Sequence, residues 1–230
     1  MEWAAQVDIY CERSDFSFWA EPLNAASNIS FILAALWGAY EAKKRQMRQP
    51  AIWLLIALAF SIGVGSFLFH TFATIWSEFA DTIPIWSFVA CYILVCISLI
   101  GGVRPGRIAI IGVGVAALLT IIMLASSNPD AANAPPPAPS RFNGSEQYLP
   151  AVIAMLVFSA LTLWRAHPIR WWFLAATITF FISLTLRTYD LALCETWPYG
   201  THFFWHLLNG IMIALLLQAL IRHTRKAPTQ

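Results

Sequence analysis

Charge is what this chain has least of. Asp, Glu, Lys and Arg together make up 11% of its 230 residues, against 59% hydrophobic, and the mean hydropathy is +0.64. A chain of that composition is not meant for water along most of its length. Lysine is absent between Lys44 and Lys226, which argues against a light-sensing protein with a Schiff-base lysine in its last helix. The first 23 residues lack the basic and then apolar pattern of a cleavable signal peptide, so the first apolar span is expected to be retained. No internal repeat and no second domain can be read. The net charge of +2 gives no footing for nucleic-acid binding once topology accounts for the basic residues.

Long apolar runs are what remains. A helix crosses a hydrocarbon core in about 20 residues, and seven stretches qualify: 24–41, 51–70, 82–101, 108–125, 149–164, 170–187 and 202–221. The runs are unbroken, whereas a membrane barrel would alternate with a period of two. The expected fold is all-α, a seven-transmembrane helix bundle forming one domain over residues 1–230. It has an acidic outer segment at 1–23, a Pro/Ala-rich outer loop at 126–148 and a cytoplasmic tail at 222–230.

Basic residues orient the bundle. Lys43, Lys44, Arg45, Arg48, Arg104, Arg107, Arg165, Arg170, Arg222, Arg225 and Lys226 fall on one side, 11 of the 14 Lys and Arg. The N-terminus is therefore expected outside and the C-terminus in the cytoplasm. Short loops fit a bacterial inner membrane, with an endomembrane also open. Asn143-Gly-Ser145 matches a glycosylation acceptor in an outer loop, a match without meaning in a bacterial protein.

Few polar residues interrupt the spans, and four gather near the outer face. In "THFFWHLLNG" (201–210), His202 and His206 stand four apart, on one helix face and about 6 Å apart along the axis. His70 ends the second span at the same depth. His167 and His223 lie on the basic side beside arginines and read as interfacial surface groups. Three neutral imidazoles with a fourth position open are the pattern of a catalytic zinc. Zinc is preferred because no Met or thiolate joins the set. In a soluble helix such a pair would more often be incidental, but ionisable groups inside a membrane default to function.

Asp81, in "SEFADTIPIW", stands at the start of the third span. It fits a helix N-cap followed by Pro84 in the first turn, and equally a proton acceptor beside a metal-held water. Glu78 is the alternative base, expected in the loop. Ser66, four residues before His70 in "GVGSFLFH", can aim its hydroxyl at an oxyanion. With Gly63 and Gly65 beside it, it fits close helix packing as well.

Taken together, Ser-x3-His at 66–70, Asp-x2-Pro at 81–84 and His-x3-His at 202–206 resemble the alkaline ceramidases. Those are seven-span, zinc-dependent membrane amidases in a superfamily shared with the adiponectin and progestin receptors. "YCERSDFSFWAEPLNAASN" resembles the family's opening and "LCETWPYGTHFFWHLLNG" its C-terminal counterpart, so the resemblance spans nearly the whole chain. It implies His70, His202 and His206 as zinc ligands, Asp81 as acid/base, Ser66 as oxyanion partner, and a ceramide-like lipid substrate entering from the bilayer. It also implies a disulfide between Cys11 and Cys194, which an oxidising outer compartment permits; Cys91 and Cys96 read as small buried residues. Finally, it implies a calcium site of oxygen ligands in the acidic N-terminal segment, from Asp8, Tyr10, Glu12, Ser14 and Glu21. There the sequence departs from the family pattern. Asp8 stands one residue further from Cys11 than expected, Ser14 replaces the usual Asn, and the stretch between Glu12 and Glu21 is shorter. The receptor branch would keep a related zinc site, but the charge bias places the N-terminus here on the opposite side from the adiponectin receptors.

Overall fold

The computed structural model describes residues 2–99, 101–104, 106–114, 117 and 142–223. By contacts the chain divides into two compact units, 1–91 together with 141–230, and 92–140. Most of the second lies outside the described residues. The expected fourth span is seen only as a helical segment at 106–114, and its remainder and the loop up to residue 141 fall outside, as does the tail from 224.

The fold is all-α. After an irregular N-terminal segment come α1 (Pro22–Ser27), α2 (Ile29–Lys44), α3 (Pro50–Phe72) and α4 (Ile75–Leu99). Past the second unit, the 3-10 turn Ser145–Tyr148 leads into α5 (Leu149–Trp164), α6 (Arg170–Tyr189) and α7 (His202–His223). Five helices are long and apolar enough to cross a membrane: α3, α4 to Ser98, α5 with its preceding turn, α6 and α7. They make this a multi-pass membrane protein. Large apolar side chains such as Leu54, Ile83, Ile153, Ile178 and Ile211 stand exposed on their outer faces, as lipid-facing positions require.

Local sequence explains the boundaries. Pro50 and Pro150 occupy first-turn positions of α3 and α5, where a missing N–H costs nothing. α3 ends at Ala73, whose left-handed φ of 45° turns the chain straight into α4. The third span therefore begins at Ile75, seven residues before its expected start. Asp81 is not its N-cap but lies two turns in, Glu78 belongs to the first turn rather than to a loop, and Pro84 is inside the helix. A proline there leaves the Ala80 carbonyl without its usual N–H partner. α3 closes on that carbonyl: a Cβ on Gly65 would run into the Ala80 oxygen. The two helices thus touch backbone to backbone beside Ser66 and Asp81.

α7 is the most buried of the five and packs against α2, α3 and α6. Polar residues between helices are paired, as hydrocarbon demands. Ser159 bonds Thr177 at 2.7 Å between α5 and α6, and Asn209 bonds Ser183 at 3.0 Å between α7 and α6.

Residues 3–7 lie along the α3–α4 turn, with Val7 N–H donating to the Ala73 carbonyl and Ile75 and Trp76 N–H donating to those of Ala5 and Trp3. The disulfide between Cys11 and Cys194 ties the same segment to the loop before α7, as the resemblance implied. Crossing a closed loop of 183 residues, it removes much of the unfolded chain's freedom in the entropic account of disulfides.

Gly65→Ala should lower the thermal midpoint in detergent, by a clash worth about 1–3 kcal/mol. Gly112→Ala, where the added Cβ meets nothing within 4 Å, should leave it unchanged or raised. Equal midpoints for the two variants would contradict the close α3–α4 contact.

Candidate metal centre

His70 ends α3 one turn from its C-terminus, and His202 and His206 occupy the first two turns of α7. Between 1% and 2% of each is exposed. One ring nitrogen from each of the three lies within 4.8 Å of the others. The Nε2 atoms of His70 and His206 face each other at 3.1 Å, and two tetrahedral zinc ligands at 2.0–2.1 Å from the metal would stand about 3.3 Å apart.

The outer nitrogens are already assigned. His70 Nδ1 meets Glu21 Oε2 at 2.6 Å, so it carries the proton and Nε2 keeps its lone pair. His206 Nδ1 lies 2.8 Å from Ser27 Oγ, and Ser27 donates its own proton to the Asn24 carbonyl at 2.9 Å. His206 must therefore be the donor, again freeing Nε2. Carboxylate and hydroxyl partners of this kind fix the tautomer and orientation of metal-binding imidazoles. His202 has a buried Nδ1 without a hydrogen-bond partner, and Asp81 has a buried Oδ1 in the same state. Orphaned polar atoms at a dry site cost free energy, and both belong to residues at or next to the three-histidine cluster. The donor set and its geometry fit zinc.

Asp81 is 9% exposed and Ser66 3%, and the close approach of α3 at Gly65 to the backbone of Ala80 and Asp81 brings the two residues to the same place.

Glu21 is the unforeseen member. Its carboxylate accepts from Arg13 Nε at 2.5 Å and Asn24 Nδ2 at 2.9 Å besides His70. Burial opposes its charge, but His70, Asn24 and Arg13 together outweigh burial and hold the carboxyl below the ordinary glutamate range. Arg13 in turn donates to the His70 carbonyl at 3.1 Å. Glu12 accepts the N–H groups of Leu23 and Asn24, both at 2.7 Å, and so caps the first turn of α1. Burial pushes its carboxyl above the ordinary range despite those bonds. Tyr10 stacks on His202 with ring centroids 3.7 Å apart, while Asp8 and Ser14 are exposed. These contacts give the calcium expectation no support: Glu12 and Glu21 are committed to protein donors, and among the described residues the three histidines are the one cluster of His, Cys, Asp or Glu fit to hold a metal.

Asp190 was also missed. Its carboxylate accepts from Thr201, His202 and Cys11 N–H at 2.6, 2.9 and 3.1 Å, capping α7 from outside. Gly200, at φ 62°, makes the turn possible, since a Cβ there would meet Asp190 and Cys11. An aspartate followed eleven residues later by a Thr-His pair gives no local capping pattern to read.

A buried three-histidine centre braced by a carboxylate, set at the end of a membrane bundle, defines a metal-dependent membrane hydrolase. The family model described as Ceramidase matches residues 4–230, and the chain belongs to the ceramidase family. No curated protein gives a match. The resemblance read from the histidine, aspartate and serine spacings is borne out.

Glu21→Gln should weaken zinc affinity by about 10–100-fold without abolishing it, read by competition with a chelator. Glu12→Gln, which caps α1 and does not touch a histidine, should change zinc affinity far less. The reverse order would contradict the assignment of Glu21 to His70.

Proposed function

We propose that this protein hydrolyses the amide bond of ceramide or a related lipid amide, giving a sphingoid base and a free fatty acid. The observation that carries this reading is the buried triad of His70, His202 and His206 in a ceramidase-family chain, with the orphaned oxygen of Asp81 beside it. Zinc bound there supplies Lewis acidity toward the scissile carbonyl and toward water.

The chain's own residues do the rest. Asp81 uses the free Oδ1 to take a proton from the attacking water and returns it to the leaving nitrogen as the C–N bond breaks. Ser66 orients that carboxyl and stands ready to donate to the oxygen that develops negative charge. Glu21 and Ser27 hold the imidazoles in register. Tyr10, stacked over His202, helps keep bulk water off the histidines, where a dry environment strengthens every charge interaction. Exposed apolar helix faces suit a lipid whose amide lies near headgroup level and whose chains reach the site from the side. The charge bias supports an outward N-terminus, putting the site at the outer end of the bundle, in a bacterial inner membrane or an endomembrane.

His206→Ala should lose bound zinc and fatty-acid release together. Asp81→Asn should retain zinc while turnover falls at least about 100-fold. The check is elemental analysis of each purified variant beside a fatty-acid release assay on ceramides of several chain lengths. Equal zinc loss in both variants would refute the role of Asp81, and wild-type protein that holds zinc but cleaves no ceramide would refute the substrate.

A further inference from the structure

Arg187, near the end of α6, is 5% exposed. A guanidinium buried to that degree is costly without a counter-charge. Its Nη1 donates to the Asn143 carbonyl at 2.5 Å and to Ser145 Oγ at 3.1 Å. The rings of Tyr148 and Trp205 flank it, with centroids 5.3 and 5.7 Å from the guanidinium carbon. All of these partners are neutral. Among the described residues no carboxylate comes within ion-pairing distance, and Nε is buried with no hydrogen-bond partner.

The arginine borders the histidine site. Trp205 precedes His206 on α7, and Tyr148 stacks at 5.9 Å on Trp86 of α4, the helix that carries Asp81. The molecule thus holds, near its three histidines, a buried positive group whose Nε has no hydrogen-bond partner among the described residues.

A neutral amide does not need that charge, but its hydrolysis product does. Cleavage joins the water oxygen to the acyl carbon, breaks C–N and passes both water protons to the leaving nitrogen, so that the base departs as an ammonium and the acid is left as a carboxylate. Resting on the amidase reading above, we propose that Arg187 binds the carboxylate of the released fatty acid through its Nε edge. Planar carboxylates are the natural partners of that edge, which offers two N–H groups side by side. The acid then has a fixed place after the amine departs, and its release becomes a step that Arg187 controls.

The test is equilibrium binding of labelled palmitate to full-length protein in detergent, for wild type, Arg187→Gln and Arg187→Lys, with zinc content measured on each. Hexadecanol and hexadecyl phosphate serve as competitors. Palmitate should bind wild type at least about tenfold more tightly than hexadecanol does. Arg187→Gln should lose that preference with zinc retained, and Arg187→Lys should keep only part of it. Unchanged palmitate affinity in either zinc-loaded variant would overturn the proposal, and Arg187→Lys decides the matter if the glutamine variant does not fold. Hexadecyl phosphate displacing palmitate at far lower concentration than unlabelled palmitate would overturn the carboxylate assignment in favour of a phosphate site. Arg187-dependent palmitate binding by wild-type protein that cleaves no ceramide would overturn the amidase reading alone.

Discussion

The hydrogen bond between Glu21 and His70, 2.6 Å long and 1–3% exposed on both sides, joins the two halves of this structure. On one side it fixes which nitrogen of His70 faces the other histidines. On the other it gathers Arg13 and Asn24, and with them the segment that covers the site. An ionised carboxylate at such depth is tolerable only when it is paired and hydrogen-bonded. Glu21 achieves this with donors from three different stretches of chain, so the segment must be folded for the site to be set. Ser27 repeats the pattern on His206, and Asp190 repeats it on the backbone of His202.

The membrane makes this bracing necessary. Helices in lipid gain little from apolar contact with one another, and their positions rest on close packing and polar pairs. Here α3 and α4 meet through Gly65 and the carbonyl that Pro84 leaves free, while α6 and α7 meet through Ser183 and Asn209. The helix ends where the histidines lie are locked by the Cys11–Cys194 disulfide and by the backbone bonds of residues 3–7 to the α3–α4 turn. Rigid helices carry the ligands, and a cross-linked irregular segment closes over them. Exact placement of reacting groups is a requirement that a flexible cover alone would not meet.

Much of this was legible in the sequence, for particular reasons. Spans show as apolar runs because lipid leaves no alternative to the helix, and the edges of α3, α5, α6 and α7 fall within two residues of those expected. The histidines were legible because ionisable residues are so rare in such runs. α4 was misjudged because Asp81 and Pro84 mimic a helix start, a pattern that holds only when no turn of helix precedes it. Glu21 was assigned to calcium because a carboxylate's partner 49 residues away leaves no mark in spacing. Arg13 and Arg187 stood out only as basic residues away from the basic side, since sequence cannot tell an arginine facing solvent from one turned inward between aromatic rings.

Three imidazoles, and no sulfur, hold one zinc at the end of this bundle that carries the N-terminal segment. X-ray absorption at the zinc edge on detergent-purified protein tests it most directly. The account predicts about one zinc per chain with three imidazole nitrogens at roughly 2.0–2.1 Å and one lighter oxygen ligand. A sulfur scatterer at about 2.3 Å, or purified active protein without zinc, would contradict it.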